Sequence, residues 1–405
     1  MALVLIMPFH AFLSVWLGHL AGHQAVWQSW KEVVLIAATA ATGLLLYREP
    51  ERWQRLRTPA VYAGTAFIVV ALIVTAFSHP SLTAAVYGLK TDAEFLFAFA
   101  IAAVVADSAL VRRAARFLIA TSGAVIGFGL LQIYLLPANW LTHFGYGPHT
   151  IQPFEMVDPA VKAIRILSTL GGPNQLGSFL ILPLCVAIWQ MGVRFRWWQP
   201  PYILAGVIVL WHTYSRSALL GLAAGVVVMI LMRLRRQWRL PVLLGFTVIA
   251  AVGLQLLTSN VGRFHNLQYY IFHQTLTNTG FQASTTDHAS ATSMGLKLAT
   301  QNPLGLGLGS AGPASFHSAH TVIPEDYYLQ LAIETGLLGM ALFVAAELLL
   351  GWQLWHIGRR SGLAPPLVAA LAGVAIVNLF LHGWADSSTA LVFWSVAGSV
   401  AGVGV

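Results

Sequence analysis

The chain has 405 residues, of which 57% are hydrophobic and 9% charged, with a net charge of +8; a soluble domain is about a quarter charged. Mean hydropathy is +0.72. These values exclude a soluble enzyme, a disordered chain and a nucleic-acid-binding domain, and they make the spanning helix of about 20 residues the unit to count.

The chain opens MALVLIMPFH, with neither a basic n-region nor a small-residue cleavage site, and this is read as a retained first span. Apolar runs fall at 3–19, 33–47, 60–77, 94–110, 116–136, 175–191, 200–214, 217–232, 240–257, 327–355, 365–381 and 389–405, twelve in all. The fold class expected is an all-α integral membrane protein of about twelve transmembrane helices, one polytopic domain over 1–405. Its single cysteine, Cys185, lies in the sixth run, so the sequence holds neither an intrachain disulfide nor a thiolate metal cluster.

The links between runs alternate in charge. Fifteen arginines, from Arg48 to Arg360, fall on one set; the other holds Lys31, Lys90, Lys162, Arg165, Arg216, Arg263 and Lys297. The positive-inside rule places the first set and both termini in the cytoplasm. Two outer segments are long, 137–174 and 258–326, and the second is polar and expected to carry short helices. Segments of that length without regular structure are usually functional. The inner links contain no Walker sequence and no dinucleotide fingerprint, so the chemistry is expected outside. No internal repeat is visible, which weighs against a transporter built from repeated bundles.

Four outer places carry candidate chemistry, because charge in or beside a span is costly. Arg165 opens RILSTLGGPNQLG; Pro173 suits a helix start, and the turn with Asn174 would aim N–H groups at an anion or simply begin a helix beside a snorkelling arginine. Arg216, in TYSRSALLGL, is suited to bidentate phosphate contact or to interfacial anchoring. The string NPLGLGLGSAG, with Gly305, Gly307 and Gly309, permits close backbone approach to a ligand or forms a flexible turn. Glu325 and Asp326 stand at a helix start after Pro324, either as caps or with one carboxylate as general base.

The long outer segment also holds Arg263 and five histidines, His265, His273, His288, His317 and His320. His317 and His320 have the i, i+3 spacing of a helical ligand pair, but no acidic residue completes a metal set. A single catalytic or glycan-contacting histidine is the better reading, with His320 and His288 the candidates.

In this order, the segments resemble the O-antigen ligase and O-antigen polymerase superfamily. Arg165 precedes Gly172-Pro173-Asn174; Ser215-Arg216 sits between two spans; residues 302–309 form the NP-L-G-x-G-x-G string; Tyr328-Leu329, Glu334, Gly336 and Gly339 complete the helix start. The close match covers about 165–340. The resemblance implies a GT-C-like enzyme of the bacterial inner membrane, active on the periplasmic face. Its donor would be an oligosaccharide on undecaprenyl diphosphate, and its acceptor a glycan hydroxyl or lipid A core. Membrane lipid and proteins of the same polysaccharide assembly pathway would be its other partners, without nucleic acid.

The same resemblance implies that Arg165 and Arg216 neutralise the departing diphosphate and that Glu325 deprotonates the acceptor, with inversion and with no metal, nucleotide or other cofactor. Asn174, Arg263, His288, His320, Asp326 and Tyr328 would contact substrate. Ligase-type members place a His-Asn pair where this chain has Glu325-Asp326. That departure favours a polymerase of O-antigen or exopolysaccharide repeat units. The alternatives are a ligase acting on lipid A core or a protein, and a transporter of a lipid-linked solute.

Overall fold

The structure is a computed structural model that describes residues 1–156, 164–259, 280–358 and 362–404, with side chains left out at 249–251, 253–259 and 280–289. Lys162, Arg263, His265, His273, Arg359 and Arg360 lie outside the described residues, and His288 has a helical position only. Thirteen principal helices are described. They are α1 (Ala2–Ala21), α2 (Trp30–Arg48), α3 (Pro59–Ser78), α4 (Leu82–Val105), α5 (Ser108–Tyr134), α6 (Pro173–Val193) and α7 (Gln199–Trp211). The chain continues through α8 (Arg216–Arg233), α9 (Arg236–Ser259), α10 (Gly280–Gln301), α11 (Tyr327–Ile357), α12 (Ala364–Asn378) and α13 (Ser387–Gly404). The only described ladder pairs Glu155–Met156 (β1) with Ile164–Arg165 (β2), antiparallel. The protein is therefore an all-α polytopic membrane protein, and eight of its described helices are long and apolar enough to cross a membrane.

Every one of the twelve apolar runs overlaps a described helix, and the boundary displaced furthest is the start of α4. The run at 94–110 was expected to begin where charge ends; α4 instead begins at Leu82 and stops at Val105. The reason is that its charges are paired. Lys31 Nζ on α2, 2% exposed, lies 2.5 Å from Glu94 Oε1, and Lys90 Nζ lies 2.5 Å from Glu32 Oε1. Ser387 Oγ donates to Glu94 Oε1 at 2.9 Å. Compensated in this way, charge can continue a membrane helix that hydropathy alone would cut short. Within 258–326 the structure describes α10, a helix of 22 residues, and a short 3₁₀ helix at Pro313–His317.

Two helix pairs close through small residues. A Cβ on Gly221 would come 2.6 Å from Gly373 O, and one on Gly225 3.0 Å from Ala369 O, so α8 and α12 pack antiparallel at backbone contact. Cβ atoms on Gly398 and Gly402 would strike the Phe99 and Ala103 carbonyls, so α13 and α4 pack in parallel. Each glycine pair is spaced i, i+4, the small-xxx-small pattern by which membrane helices gain van der Waals contact without help from water.

The run at 327–355 was read as one span, but α11 reverses direction inside it. Gly336 has φ 73° and ψ 174°, a region essentially closed to other residues. In a straight helix Tyr328 and Glu347 would stand about 28 Å apart. Here Tyr328 Oη donates to Glu347 Oε2 at 2.9 Å, and the Tyr327 and Phe343 rings lie 5.6 Å apart. The first arm, 327–335, therefore folds back along the second, 337–357.

The glycine string holds this reversal. Leu306 N and Gly307 N donate to the Ile333 and Glu334 carbonyls at 2.8 and 2.9 Å, and Leu337 N donates to Pro303 O at 3.0 Å. These bonds satisfy carbonyls that the first arm's C-terminus would otherwise leave orphaned. Glu334 Oε1 also accepts from Gly309 N and Ala311 N at 2.8 and 3.2 Å. The string thus approaches other backbone closely, the reading in which its glycines serve structure.

Candidate active site

Two helices are too short to cross the apolar core. At about 1.5 Å per residue, α7 with 13 residues and α12 with 15 reach about 20 and 22 Å, against about 30 Å of hydrocarbon. Arg165, Asn174 and Arg216 gather at the turn where α7 stops, and Asn378 is the last residue of α12.

Arg165 sits at the end of β2, beside the turn after α7 and the first turn of α6. Its Nε donates to Thr213 O at 2.8 Å, Nη1 to Glu155 Oε2 at 2.8 Å and Nη2 to Asn174 Oδ1 at 2.6 Å. Three acceptors fix the plane of the guanidinium, which a single ammonium could not do. Burial lowers its pKa from the ordinary arginine value, and Glu155 opposes that shift. Ile166 N also donates to His212 O, so the 165–174 turn and the 211–216 turn form one assembly.

Arg216 opens α8 directly after that second turn, with Ser215 as N-cap. It lies close enough to Arg165 for their like charges to interact. Tyr214, two residues earlier, has φ 53°, a left-handed conformation costing about 1–2 kcal/mol for a residue with a Cβ. Such strain persists only where its surroundings enforce it, and it concentrates at functional sites.

The opposite wall comes from α11 and α12. The antiparallel register that sets Gly221 against Gly373 also brings Arg216, five residues earlier, level with Asn378, five residues later. Asn378 Oδ1 accepts from Trp384 N at 3.2 Å, and Trp384 Nε1 donates to Glu347 Oε1 at 2.6 Å. Glu347 therefore binds Tyr328 with one oxygen and Trp384 with the other. Beside it, Gln330 Nε2 donates to Asp92 Oδ1 at 3.0 Å, and Asp92 also meets Glu334 and Tyr327. These groups are buried and lock the first arm of α11 against α4.

Asp326 caps that arm, its Oδ1 accepting from Leu329 N at 2.9 Å. Burial raises its carboxyl pKa, and the N–H groups of Leu329 and Tyr328 pull it back down. Glu325, at φ 53°, precedes the cap in another left-handed turn. The structure thus unites Arg165, Asn174 and Arg216, and places Tyr328 in the Glu347 network. Two of the candidate histidines have described side chains. The His317 ring stacks on Tyr87 at 3.8 Å, and His320 is exposed, its carbonyl accepting from Ser318 Oγ. Among the described residues no three His, Cys, Asp or Glu side chains form a metal-sized group.

Asp92, Glu347, Asn378 and Trp384 were missed from sequence. Their signal was available for two of them: Asp92 and Glu347 are carboxylates in or beside apolar runs, where ionisable side chains are rare and functional by default.

Arg165, Asn174 and Arg216 thus form a cation-bearing group on the turns beside α6, α7 and α8. Residues 201–344 match the family model described as O-antigen ligase. The match runs from α7 into the second arm of α11, so it takes in Arg216, the glycine string and Gly336, while Arg165 and Asn174 precede it. Over these residues the chain is similar to the O-antigen ligase and polymerase superfamily. No curated protein matches it.

Proposed function

We propose that this protein is a glycosyltransferase of the bacterial inner membrane, working on the periplasmic face with both termini in the cytoplasm. It moves a glycan from undecaprenyl diphosphate to a sugar hydroxyl, and its favoured role is polymerisation of O-antigen or exopolysaccharide repeat units. The observation that carries this reading is the convergence of Arg165 and Arg216 at the turn where α7 ends. Two adjacent guanidinium groups offer planar, multidentate donors matched to phosphate oxygens. A lipid-linked diphosphate is a ligand of that chemistry.

In the proposed step the acceptor oxygen bonds to the anomeric carbon as the bond from that carbon to the phosphate oxygen breaks. The electron pair departs on the diphosphate, where Arg165 and Arg216 stabilise the developing charge. The acceptor proton passes to Glu325, for which His320 and His288 are the alternatives. Asn174 orients Arg165, and a single displacement inverts the anomeric centre. Ligation to lipid A core is the second reading, favoured by the description of the matching family.

Purified protein given an undecaprenyl-diphosphate oligosaccharide alone, with EDTA present, is expected to yield a ladder of repeat-unit multiples and free lipid diphosphate. Product formed only after lipid A core is added would replace polymerisation by ligation, and retained anomeric configuration would remove the single displacement. Glu325→Gln is expected to slow the reaction about 10²–10⁴-fold, the usual worth of a positioned base. Full activity in that variant would move the base to a histidine.

A further inference from the structure

Helix α6 joins two polar places. Asn174, in its first turn, belongs to the candidate active site; its far end, at Val193, borders an open cavity of about 880 Å³. The cavity lies between α5, the end of α6, the 194–199 link, the start of α12 and the end of α13. Its size is that of a ligand site. Four arginines line it: Arg112 and Arg116, one turn apart on α5, and Arg194 and Arg196 on the link. Trp189 and Trp198 stand among them, and most of the remaining wall is apolar.

The charge in this cavity is one-sided. No Asp or Glu lines it, and among the described residues none of the four guanidinium groups has a hydrogen bond or ion pair with the protein. Asp107 interacts with the Arg112 charge, but it lies outside the lining and already accepts from Leu110 N at 2.6 Å. Neighbouring Arg233 shows the contrast: it stacks on Trp189 at 4.4 Å and donates to the Trp189 carbonyl. That arginine is used by the fold, whereas the four in the cavity are left facing its space.

A ligand for such a place needs phosphate-like anionic chemistry at one end and apolar surface at the other. The cavity lies at the ends of α5, α6 and α13, helices long and apolar enough to span a membrane, and basic pockets between membrane helices select anionic headgroups. We propose that this cavity binds an anionic phospholipid of the leaflet opposite the candidate active site. The phosphodiester lies among Arg112, Arg116, Arg194 and Arg196, and the acyl chains run along α5 and α13. The proposal holds whether or not the glycan-transfer reading does.

The test is lipid binding to purified full-length protein in detergent, read by native mass spectrometry and by thermal stabilisation. The probes are phosphatidylglycerol, phosphatidylcholine and inorganic phosphate. Wild-type protein is expected to retain phosphatidylglycerol, and Arg112→Gln/Arg116→Gln/Arg194→Gln/Arg196→Gln is expected to bind it about tenfold or more weakly. A charge-matched control, Arg48→Gln/Arg57→Gln/Arg235→Gln/Arg236→Gln, is expected to bind as wild type. Equal loss in the control would reduce the effect to general surface charge and overturn the site. So would wild-type binding in the cavity variant. Equal stabilisation by phosphatidylcholine would remove the anionic requirement, and equal stabilisation by inorganic phosphate would remove the lipid. Arg194→Gln/Arg196→Gln, confined to an exposed link, gives the same reading should the fourfold variant not fold; unchanged binding there overturns the proposal.

Discussion

Arg216→Ala abolishes measurable glycan transfer while the protein stays folded in the membrane; this is the expected result with the clearest consequence. Removing one preorganised donor from a developing anion lowers rates about 10²–10³-fold, and Arg216 sits at the start of a helix whose packing lies further along, at Gly221 and Gly225. Arg165→Ala is expected to be as inactive but less stable. Its loss leaves Thr213 O and Asn174 Oδ1 without their donor, and an orphaned buried acceptor costs about 1–3 kcal/mol. Arg165→Lys keeps the charge but offers one nitrogen to three acceptors, so it should not restore activity. The assay is turnover in reconstituted vesicles beside thermal unfolding in detergent. Wild-type turnover by Arg216→Ala would end the diphosphate role of the pair.

Gly336→Ala is expected to destabilise the protein more than any other single-methyl addition to α11. Its backbone conformation alone costs a residue with a side chain about 1–3 kcal/mol. The added Cβ would also lie 2.7 Å from Pro303 O and from Leu304 C, where backbone cannot yield without opening the glycine string. Gly64→Ala on α3 is the control, because its nearest contact would be Leu96 Cδ2 at 3.7 Å. In a helix that change is neutral or favourable by up to about 1 kcal/mol. Thermal unfolding of the two variants separates the cases. An unfolding temperature for Gly336→Ala equal to wild type would mean that the reversal of α11 is not needed for the folded state.

The membrane helices were legible because a bilayer demands long apolar stretches, and all twelve runs meet helices. The displaced boundary of α4 has a particular cause: Lys90, Asp92 and Glu94 look like a water-facing link until their partners on α2, α11 and the start of α13 are known. The reversal at Gly336 was hidden because 327–355 is apolar on both sides of it, and a glycine in a hydrophobic run has no fixed meaning until its dihedral angles are seen. Arg165, Asn174 and Arg216 were legible as an ordered set of short motifs, and the structure supplied their convergence. Asn378 and Trp384 gave no warning, since they acquire their place through the register of α12 against α8. The glycine pairs 221/225 and 398/402 were readable as close-packing motifs and were passed over in favour of the charged segments.

The charges of α4 bear on how the chain enters the bilayer during synthesis. A single Lys or Asp at the centre of a spanning segment costs about 2.5–3.5 kcal/mol at the translocon. Lys90 and Glu94 find their opposites, Glu32 and Lys31, on a helix already made. Asp92 does not: its partner Gln330 emerges more than two hundred residues later. Insertion of α4 therefore leans on α2 and leaves one carboxyl group waiting for the first arm of α11. In a staged translation assay with glycosylation tags, residues 82–105 should insert well behind residues 30–48 and poorly alone; equal insertion in both settings would mean that α4 needs no escort. The order in which the helices are born thus becomes part of what the buried charges encode.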